Sequence, residues 1–420
     1  MRFTTLDAWL TWQESLHPTE IELGLERIAT VLRRLHAQPT PFPVITVAGT
    51  NGKGSSVAML ETILRAAGYR VGAYTSPHLL RYNERVRLDG VPVNDALLME
   101  SFARIDAARA DISLTYFEFG TLAALDIFYR DIPDVVVLEV GLGGRLDAVN
   151  IIDPTVALIT SISVDHAEWL GNDRESIAIE KAGIMRAGRP VVFSGRDMPA
   201  SLAQRAQDLA AHLTVLGQDF DYRSSETDWR WWSGDQPAIT LPHPALRGDH
   251  QFDNAAGVLM VLQLLASQLP VSLQAIRQGL QDVVLPGRFQ VIPAPVTWVL
   301  DVAHNPDGIA RLADLLVATP VTGRTLAVIG MMGDKDIRAA ILHLQVEVNV
   351  WFTANLPTPR SADADELAEL IQQQTGCQQV MACADVAAAC NAAKAEARDG
   401  DRILVCGSFY TVAAALGHGI

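Results

Sequence analysis

Short runs of apolar residues alternate along the chain with segments in which apolar residues recur every three or four positions. The runs predict buried strands at 44–48, 69–75, 134–140, 155–160 and 190–194, and the spaced patterns predict helices at 21–35, 57–67, 101–110, 119–130 and near 174–186. Continuous apolar strands that alternate with helices are typical of parallel sheets covered on both faces. The pattern therefore predicts an α/β fold.

A second alternating series begins after the sequence LPGRF at 285–289. It predicts strands at 297–302, 325–330, 347–352, 378–382 and 402–406, and helices at 307–318, 336–345, 361–374, 385–397 and 409–416. Proline and glycine breakers mark a domain boundary near 287–295. We expect a large parallel-sheet domain at 1–290 and a smaller Rossmann-like α/β domain at 291–420, with a ligand in the cleft between them.

The stretch at 215–247 departs from this alternation, because it is polar and holds Trp229, Trp231 and Trp232. It predicts irregular or antiparallel structure. The three tryptophans favour a packed corner of a sheet over a platform on which a base stacks.

Composition narrows the class of protein. Of 420 residues, 49% are hydrophobic and 19% charged, which excludes a disordered chain. The net charge of −15 argues against a protein that coats nucleic acid. The longest apolar runs have strand length, the N-terminal residues do not form a secretory signal, and the four cysteines form no C-x-x-C pair. We therefore expect a cytoplasmic protein with free thiols and no membrane or nucleic-acid partner.

The clearest chemical signal is the sequence VITVAGTNGKGSS at 44–56, where glycines surround Lys53 between a strand and a helix. Backbone amides in such a turn converge on phosphate, Lys53 would face the β- and γ-phosphates, and Ser55 or Ser56 could reach Mg²⁺. The strict P-loop pattern is not met, because Val47 replaces its first glycine and Gly54 separates Lys53 from Ser55. An ordinary glycine-rich turn is the alternative, and the position of the lysine favours nucleotide binding.

Polar side chains near other strand ends indicate a chemical role less specifically than the glycine-rich loop does. Glu139 ends an apolar strand and would either bind a metal ion or cap the following turn. His166 is more typical of a structural residue than of a ligand, and Asp165 beside it is an equal candidate. Spacing alone favours a solvated helix residue for Lys181. Asp301 and His304 lie at a strand end in the second series, just before a helix that Asn305 would cap.

Taken together, the motifs resemble the bacterial bifunctional dihydrofolate synthase/folylpolyglutamate synthase family, within the Mur-ligase-like group of ATP-dependent amide ligases. The similar segments run from about residue 20 to 413 and are GTNGKGS, TSPHL, YNERVRLDG, LEVGLGGRLDAVNIID, TSISVDHAEWLG, EKAGI, LPGRF, DVAHNP and VCGSFYTVA. The resemblance implies a P-loop ATPase domain followed by a Rossmann-like domain.

The resemblance also implies roles for individual residues. ATP would be bound by Thr50, Asn51, Gly52, Lys53, Gly54, Ser55, Asn254, Arg288, Asp301 and His304. Mg²⁺, expected at two sites, would be held by Ser76, Glu139 and His166, with Lys181 carbamylated to serve the second site and a monovalent cation as a further candidate. The pterin substrate would contact Glu22, Leu23, Gly24, Leu25, Thr115, Tyr116, Phe117, Glu118, Leu146, Asp147 and Ala148. Lys53, Lys181, His166 and Glu139 form the implied catalytic group.

The implied reaction adds L-glutamate to 7,8-dihydropteroate, and further glutamates to tetrahydrofolate, through an acyl phosphate, in a protein expected to be monomeric. Three alternatives remain: a cell-wall amino-acid ligase of the same group, a nucleotide switch or motor, and a degenerate regulatory binder. The ELGL and LDA segments favour folate over a UDP-sugar peptide. The absence of an N-K-x-D segment and the presence of a second α/β domain disfavour the switch, and the intact lysine, acid and histidine set disfavours the binder.

Overall fold

Most of the predicted strands take part in two largely parallel sheets. The computed structural model describes residues 2–420, with Ala167 described by its backbone only. The described chain divides into two compact units. Unit 1 comprises residues 2–78, 82–245 and 249–283, and unit 2 comprises Leu79–Arg81, Leu246–Gly248 and Val284–Ile420.

Unit 1 contains the elements that follow. Its helices are α1 (Leu6–Glu14), α2 (Glu26–Leu35), α3 (Lys53–Ala66), α4 (Asp95–Arg109), α5 (Tyr116–Asp131), α6 (Ala167–Leu170), α7 (Arg174–Ala182), α8 (Ala200–Asp208), α9 (His250–Leu264) and α10 (Leu273–Asp282). Its strands are β1 (Val44–Ala48), β2 (Val71–Tyr74), β3 (Val86–Leu88), β4 (Val91–Pro92), β5 (Val135–Glu139), β6 (Val156–Ile159), β7 (Pro190–Phe193), β8 (His212–Val215), β9 (Phe220–Ser224), β10 (Trp229–Ser233) and β11 (Ile239–Leu241). Short 3-10 helices lie at Tyr82–Arg85 and Ala148–Ile151.

The main sheet of unit 1 has the strand order β4-β3-β2-β5-β1-β6-β7-β8. The strands from β2 to β8 in this order run parallel, and β3 and β4 form an antiparallel edge. Helices α3, α9 and α10 pack together beside the sheet, while α1, α2, α4, α5, α7 and α8 contribute to a separate hydrophobic cluster. The parallel strands are largely apolar because helices cover both faces.

The tryptophan-rich stretch forms a three-stranded antiparallel sheet with the order β11-β10-β9. Trp229 is fully buried and its ring packs edge-on against Tyr222 and against Phe252 of α9. The predicted packed corner is therefore confirmed. This small sheet supports the first turn of α9.

Unit 2 repeats the α/β pattern. Its strands are β12 (Gln290–Ile292), β13 (Thr297–Leu300), β14 (Thr325–Ile329), β15 (Val350–Ala354), β16 (Val380–Cys383) and β17 (Arg402–Cys406), and its helices are α11 (Pro306–Ala318), α12 (Ile337–Leu344), α13 (Ala364–Thr375), α14 (Val386–Glu396) and α15 (Phe409–His418). The strand order is β12-β13-β17-β14-β15-β16, and only β12 is antiparallel among the described strands of this sheet. Helices α11, α12 and α13 cover one face, and α14 and α15 the other.

Several predicted boundaries are wrong for local reasons. The first predicted helix begins at Glu26 and not at residue 21, which leaves 21–25 outside it, and the helix near 174–186 ends at Ala182. The strand predicted at 347–352 lies at Val350–Ala354. Helix α5 begins earlier than predicted, because Thr115 and Glu118 form a complete capping box. Helices α1, α6, α8, α9 and α10 were not predicted.

Candidate active site

Four neighbouring parallel strands bring the predicted catalytic segments to one edge of the unit 1 sheet. In space these strands stand in the order β2-β5-β1-β6. Because they are parallel, their carboxyl ends share an edge, which is the usual ligand edge of such sheets. The Ser76 segment follows β2, Glu139 ends β5, the phosphate loop follows β1, and His166 lies in the loop after β6.

The phosphate loop is shaped by two glycines in left-handed conformations. Gly49 has a φ of +147°, and an added Cβ would lie only 1.8 Å from the Oγ1 of Thr160. Gly52 is the N-cap of α3 with a φ of +92°, and an added Cβ would lie 2.3 Å from the Oδ1 of Asn254. Only glycine fits both positions. The helix amides of α3 therefore open toward the loop, as anion binding requires.

Loop residues Thr50 and Asn51 are fixed to the segment that follows β6. The Thr50 Oγ1 donates to the Ser163 carbonyl at 2.9 Å and accepts from the Ser163 amide at 3.1 Å. The Asn51 carbonyl accepts from the Thr160 hydroxyl at 2.7 Å. These bonds hold the loop in register with the strand that leads to His166.

Helix α9 closes the other side of the loop. Asn254 is buried and donates to the Gln251 Oε1 at 3.0 Å, and the Gln251 Nε2 donates to the Ser55 Oγ at 3.3 Å. Asn254 thus lies beside Gly52 and is linked through Gln251 to Ser55, so the structure brings it to the glycine-rich loop. Gln251 is an additional residue of this contact.

Two lysines meet at one carbonyl oxygen. The Lys53 Nζ donates to the carbonyls of Gly49 at 3.0 Å and Thr50 at 3.1 Å. The Lys181 Nζ donates to the same Gly49 oxygen at 2.8 Å, although the two residues are 132 positions apart. The hypothesis of a solvated helix residue is wrong for Lys181, which is only 4% exposed.

Burial and, to a lesser extent, the charge of Lys53 lower the pKa of Lys181 from 10.5 to about 7, against the opposing effects of Asp165 and Asp147. An ammonium loses hydration when it is buried, so the neutral amine is favoured. Lys181 is therefore about half neutral near pH 7 and largely neutral from about pH 8 upward.

Glu139 is buried at the end of β5 and its Oε2 accepts the backbone amide of Ser76 at 3.2 Å. The structure thus brings these two predicted metal ligands together. His166 lies beyond β1, in the loop after β6, with a φ of +52° that is strained for a non-glycine residue. Its backbone amide donates to Asp165 at 2.8 Å, and its side chain is 39% exposed.

The donor chemistry fits a nucleotide-bound divalent ion. Within residues 2–420 no group of three or more His, Cys, Asp or Glu side chains could hold a metal ion by itself. A serine hydroxyl, one carboxylate and one imidazole leave coordination positions for phosphate oxygens and water, as Mg²⁺ prefers. The buried hydroxyl of Ser56, in the first turn of α3, has no hydrogen-bond partner in the described part of the chain.

The three predicted pterin segments also converge. Arg27 links two of them, since it forms an ion pair with Glu22, and its Nη2 donates to the Glu22 carbonyl at 3.0 Å and to the Glu118 Oε1 at 3.2 Å. His17 supports Glu22 from the other side, with 2.7 Å between its Nε2 and the carboxylate. Leu23, Gly24 and Leu25 lie in the non-helical segment that precedes α2.

The third segment joins at the turn after β5. The Phe117 ring lies against Gly141, where an added Cβ would be 2.5 Å from it. Asp147 is buried and accepts the amides of Leu142 at 2.7 Å and Val149 at 3.0 Å. Burial raises the pKa of Asp147 to about 6, and the backbone bonds oppose this rise. Leu146 and Ala148 flank it, and Thr115 and Tyr116 begin the helix that carries Phe117.

In unit 2 the predicted ATP contacts form a separate cluster at the ends of β13 and β17. The Asp301 carboxylate accepts the amides of Phe289 and Ala303, each at 2.8 Å. Burial raises the pKa of Asp301, and Arg288 opposes this rise. The Arg288 guanidinium lies 5.2 Å from the centre of the Phe409 ring, and the His304 ring lies 6.2 Å from it.

Sequence reasoning missed Gln251, Arg27, His17 and Phe409. Each of these residues contacts either a residue far away along the chain or a side chain that the sequence did predict. A polar residue three positions before Asn254, on the same helix face, was the available signal for Gln251.

Over residues 2–420 no helix is both long and apolar enough to cross a membrane.

Two family models and a curated relative match most of the chain. The family model for the Mur ligase middle domain matches residues 47–262, and that for the Mur ligase glutamate ligase domain matches 287–409. The chain is 47% identical over 409 residues to the dihydrofolate synthase/folylpolyglutamate synthase of Escherichia coli (strain K12), which covers 97% of this chain and 94% of that protein.

Solved structures give the same result. The E. coli FolC complex with DHPP and ADP has a TM-score of 0.92 and 46% identity, covering 99% of this chain and 97% of that one. A bifunctional folylpolyglutamate synthase/dihydrofolate synthase with Mn, AMPPNP and L-glutamate bound has a TM-score of 0.90 and 47% identity, covering 99% and 98%.

Proposed function

We propose a working arrangement for the candidate site from the premise that this chain belongs to the Mur ligase family, in its dihydrofolate synthase/folylpolyglutamate synthase group. The protein is an ATP-dependent ligase that adds glutamate to folate substrates. Its substrates are proposed to be 7,8-dihydropteroate and tetrahydrofolate, each extended by L-glutamate.

The chemistry requires activation of a carboxylate. A carboxylate is a poor electrophile, so its oxygen attacks the γ-phosphorus of ATP, ADP leaves, and an acyl phosphate forms. The neutral α-amine of glutamate then attacks the carbonyl carbon, the amine loses a proton, and inorganic phosphate leaves. In this proposal Lys53 and the amides of the Gly49–Ser55 loop stabilise negative charge on the phosphoryl group.

The observation that supports this proposal most directly is the meeting of Lys53 and Lys181 at the Gly49 carbonyl. Lys53 supplies positive charge at the head of the phosphate loop for phosphoryl transfer, and Lys181 brings a buried amine of lowered pKa to the same oxygen, where a carbamate can form. Glu139 ends β5, and Ser76 follows the adjacent strand β2. This juxtaposition favours phosphoryl transfer at a metal-assisted site over a simple nucleotide-binding turn.

We propose that Ser76, Glu139 and His166 hold a Mg²⁺ ion, and that a second ion is served by a carbamate on Lys181. A divalent ion, when bound, neutralises phosphate oxygens and orients them for in-line transfer. Carbamylation requires a neutral amine that attacks CO₂ and then loses a proton. The low pKa of Lys181, about 7, meets that requirement at physiological pH.

Lys181→Ala is expected to abolish ligation, and added formate or acetate should restore part of it by replacing the missing carboxylate. Turnover close to normal in Lys181→Ala would exclude the role. Incorporation of carbon-13 from labelled bicarbonate, observed by NMR in the normal protein and absent from Lys181→Ala, tests the modification itself. Activity in potassium buffer against tetramethylammonium buffer tests for the monovalent cation.

The pterin group is proposed to lie among the Glu22–Leu25, Thr115–Glu118 and Leu146–Ala148 segments. Asp147 offers a buried carboxyl with a raised pKa, suited to pairing with the nitrogen atoms of a pterin. Phe117 offers an aromatic face. The bridge from Arg27 to Glu22 and Glu118 would hold two walls of this pocket together.

We propose that the first predicted domain, 1–290, is the ATP and folate domain and the second, 291–420, the glutamate-ligase domain; unit 2 itself begins earlier, at Val284. Asn254, Arg288, Asp301 and His304 are proposed to serve ATP. Four free cysteines are compatible with work in the cytoplasm. A monomeric state is proposed, and sedimentation of the protein at assay concentration tests it.

ADP release with dihydropteroate and glutamate both present, and with each omitted, tests the function. Release should require dihydropteroate, and the amide product should require both. ATP hydrolysis that depends on neither substrate would contradict the proposal and favour a nucleotide switch. Tetrahydrofolate in place of dihydropteroate tests the second activity.

A further inference from the structure

A buried ion pair connects the phosphate-loop helix to the segment that carries Ser76. Glu61 lies on α3, eight residues beyond Lys53, which is about 12 Å along a helix. Arg87 on β3 binds it with three contacts: its Nε lies 3.2 and 3.0 Å from the two carboxylate oxygens, and its Nη2 donates at 2.8 Å. Both side chains are largely buried.

The same guanidinium reaches the Ser76 segment. The Arg87 Nη1 donates to the Thr75 Oγ1 at 2.9 Å and to the Glu84 carbonyl at 2.9 Å. The Thr75 amide in turn donates to the Arg85 carbonyl at 2.9 Å. Thr75 is thus held on both its backbone and its hydroxyl, directly before Ser76, whose own amide donates to Glu139.

We propose that Arg87 is a positioning residue, which sets the Ser76 hydroxyl and the Glu139 carboxylate at a fixed place relative to the phosphate loop. This inference rests on the proposed metal role of Ser76. The guanidinium is a planar fork, so it fixes directions as well as distances between α3, Thr75 and the turn at Glu84. A lysine at this position would carry the charge without the fork.

Stability alone does not explain the arrangement. A buried ion pair is often no more stable than apolar residues of the same volume, because both charges lose hydration. What the pair adds is a fixed orientation of the Arg87 guanidinium, which binds Thr75, the residue before the proposed metal ligand Ser76. Residues that hold metal ligands in place commonly affect metal affinity when they are changed.

The test compares Thr75→Val with Thr75→Ser, since valine removes only the hydroxyl contact and serine keeps it. Mn²⁺ binding to the protein with a non-hydrolysable ATP analogue is measured by electron paramagnetic resonance. Thr75→Val and Arg87→Lys are expected to weaken Mn²⁺ binding roughly 10- to 100-fold, and Thr75→Ser should bind it normally. Affinity for the analogue without metal should stay unchanged in all of these variants.

Arg109→Lys is the matched control, because Arg109 binds the Asp106 carboxylate with its Nε at 3.0 Å and its Nη2 at 2.8 Å, on α4. It should leave Mn²⁺ binding unchanged. Normal Mn²⁺ binding in Thr75→Val and Arg87→Lys, beside weakened binding in Ser76→Ala, would overturn the positioning role and leave the metal site intact. Normal binding in Ser76→Ala as well would overturn the metal role of Ser76 and the inference with it.

Discussion

Lys181 should reduce the stability of the protein. The residue is only 4% exposed, and the described hydrogen bond of its amine goes to a single backbone carbonyl, that of Gly49. Methionine has a similar length and no charge to desolvate. Lys181→Met is therefore expected to raise the free energy of unfolding while it removes the proposed catalytic function, as often happens where a site stores strain.

The magnitude follows from the pKa of Lys181, which is about 7 in the folded chain against an ordinary 10.5. Between these values the unfolded chain binds more protons than the folded chain, so the stability of the normal protein rises with pH. One pH unit corresponds to about 1.36 kcal/mol, which gives a cost of about 4 kcal/mol at pH 7 and about 2 kcal/mol at pH 9. Lys181→Met removes this cost.

Urea unfolding of the normal protein and of Lys181→Met, at pH 7 and pH 9 in CO₂-free buffer, measures the difference in their free energies of unfolding. Lys181→Met should be more stable at both pH values, and its advantage should shrink by about 2 kcal/mol at pH 9. The exposed Lys394 supplies the control, since Lys394→Met should show no such pH dependence. An advantage for Lys181→Met that stays constant with pH would refute the reasoning that burial suppresses the charge.

Three further outcomes are expected. The added Cβ of Gly52→Ala would lie 2.3 Å from Asn254, so this variant should bind ADP about tenfold more weakly or worse in calorimetry. Gly188 also has a left-handed backbone but lies in open space, so Gly188→Ala should leave ADP binding unchanged. Equal effects of the two substitutions would exclude the collision with Asn254. Glu118→Gln should raise the KM for dihydropteroate and leave that for ATP unchanged, and unchanged values for both would count against the pocket. His78, its pKa lowered to about 4 by burial and a neighbouring guanidinium, should show constant NMR shifts from about pH 5.5 to 8.

The strands were predictable because their signal is local. Runs such as VITVA and VVVLE are β-branched and fully buried, so each identifies its own element. Helix α9 escaped prediction because most of it is buried, its packing face includes Ala255, Ala256 and Gly257, and its N-cap Asp249 makes no side-chain capping bond. Where helical periodicity and a cap are both absent, no local pattern marks the element.

The candidate site was predictable from the residues only where a residue ends a strand or lies in the glycine-rich loop. Along the chain these strands come in the order β1, β2, β5, β6, whereas in the sheet their order is β2-β5-β1-β6. Which strands are neighbours at the site could therefore not be assigned from the sequence. Lys181 shows the limit clearly. It lies on a helix with an ordinary pattern, and its burial depends on a contact with Gly49 across 132 positions.

The net charge of −15 does not oppose anion binding at such a site. Exposed charges are screened over about 8–10 Å at physiological salt, whereas the lysines at Gly49 act at contact distance in a partly buried loop. Burial and, to a lesser extent, the charge of Lys53 lower the pKa of Lys181, so the positive charge at this oxygen comes chiefly from Lys53. Local arrangement, and not the total charge of the chain, therefore decides what the edge of the sheet can bind.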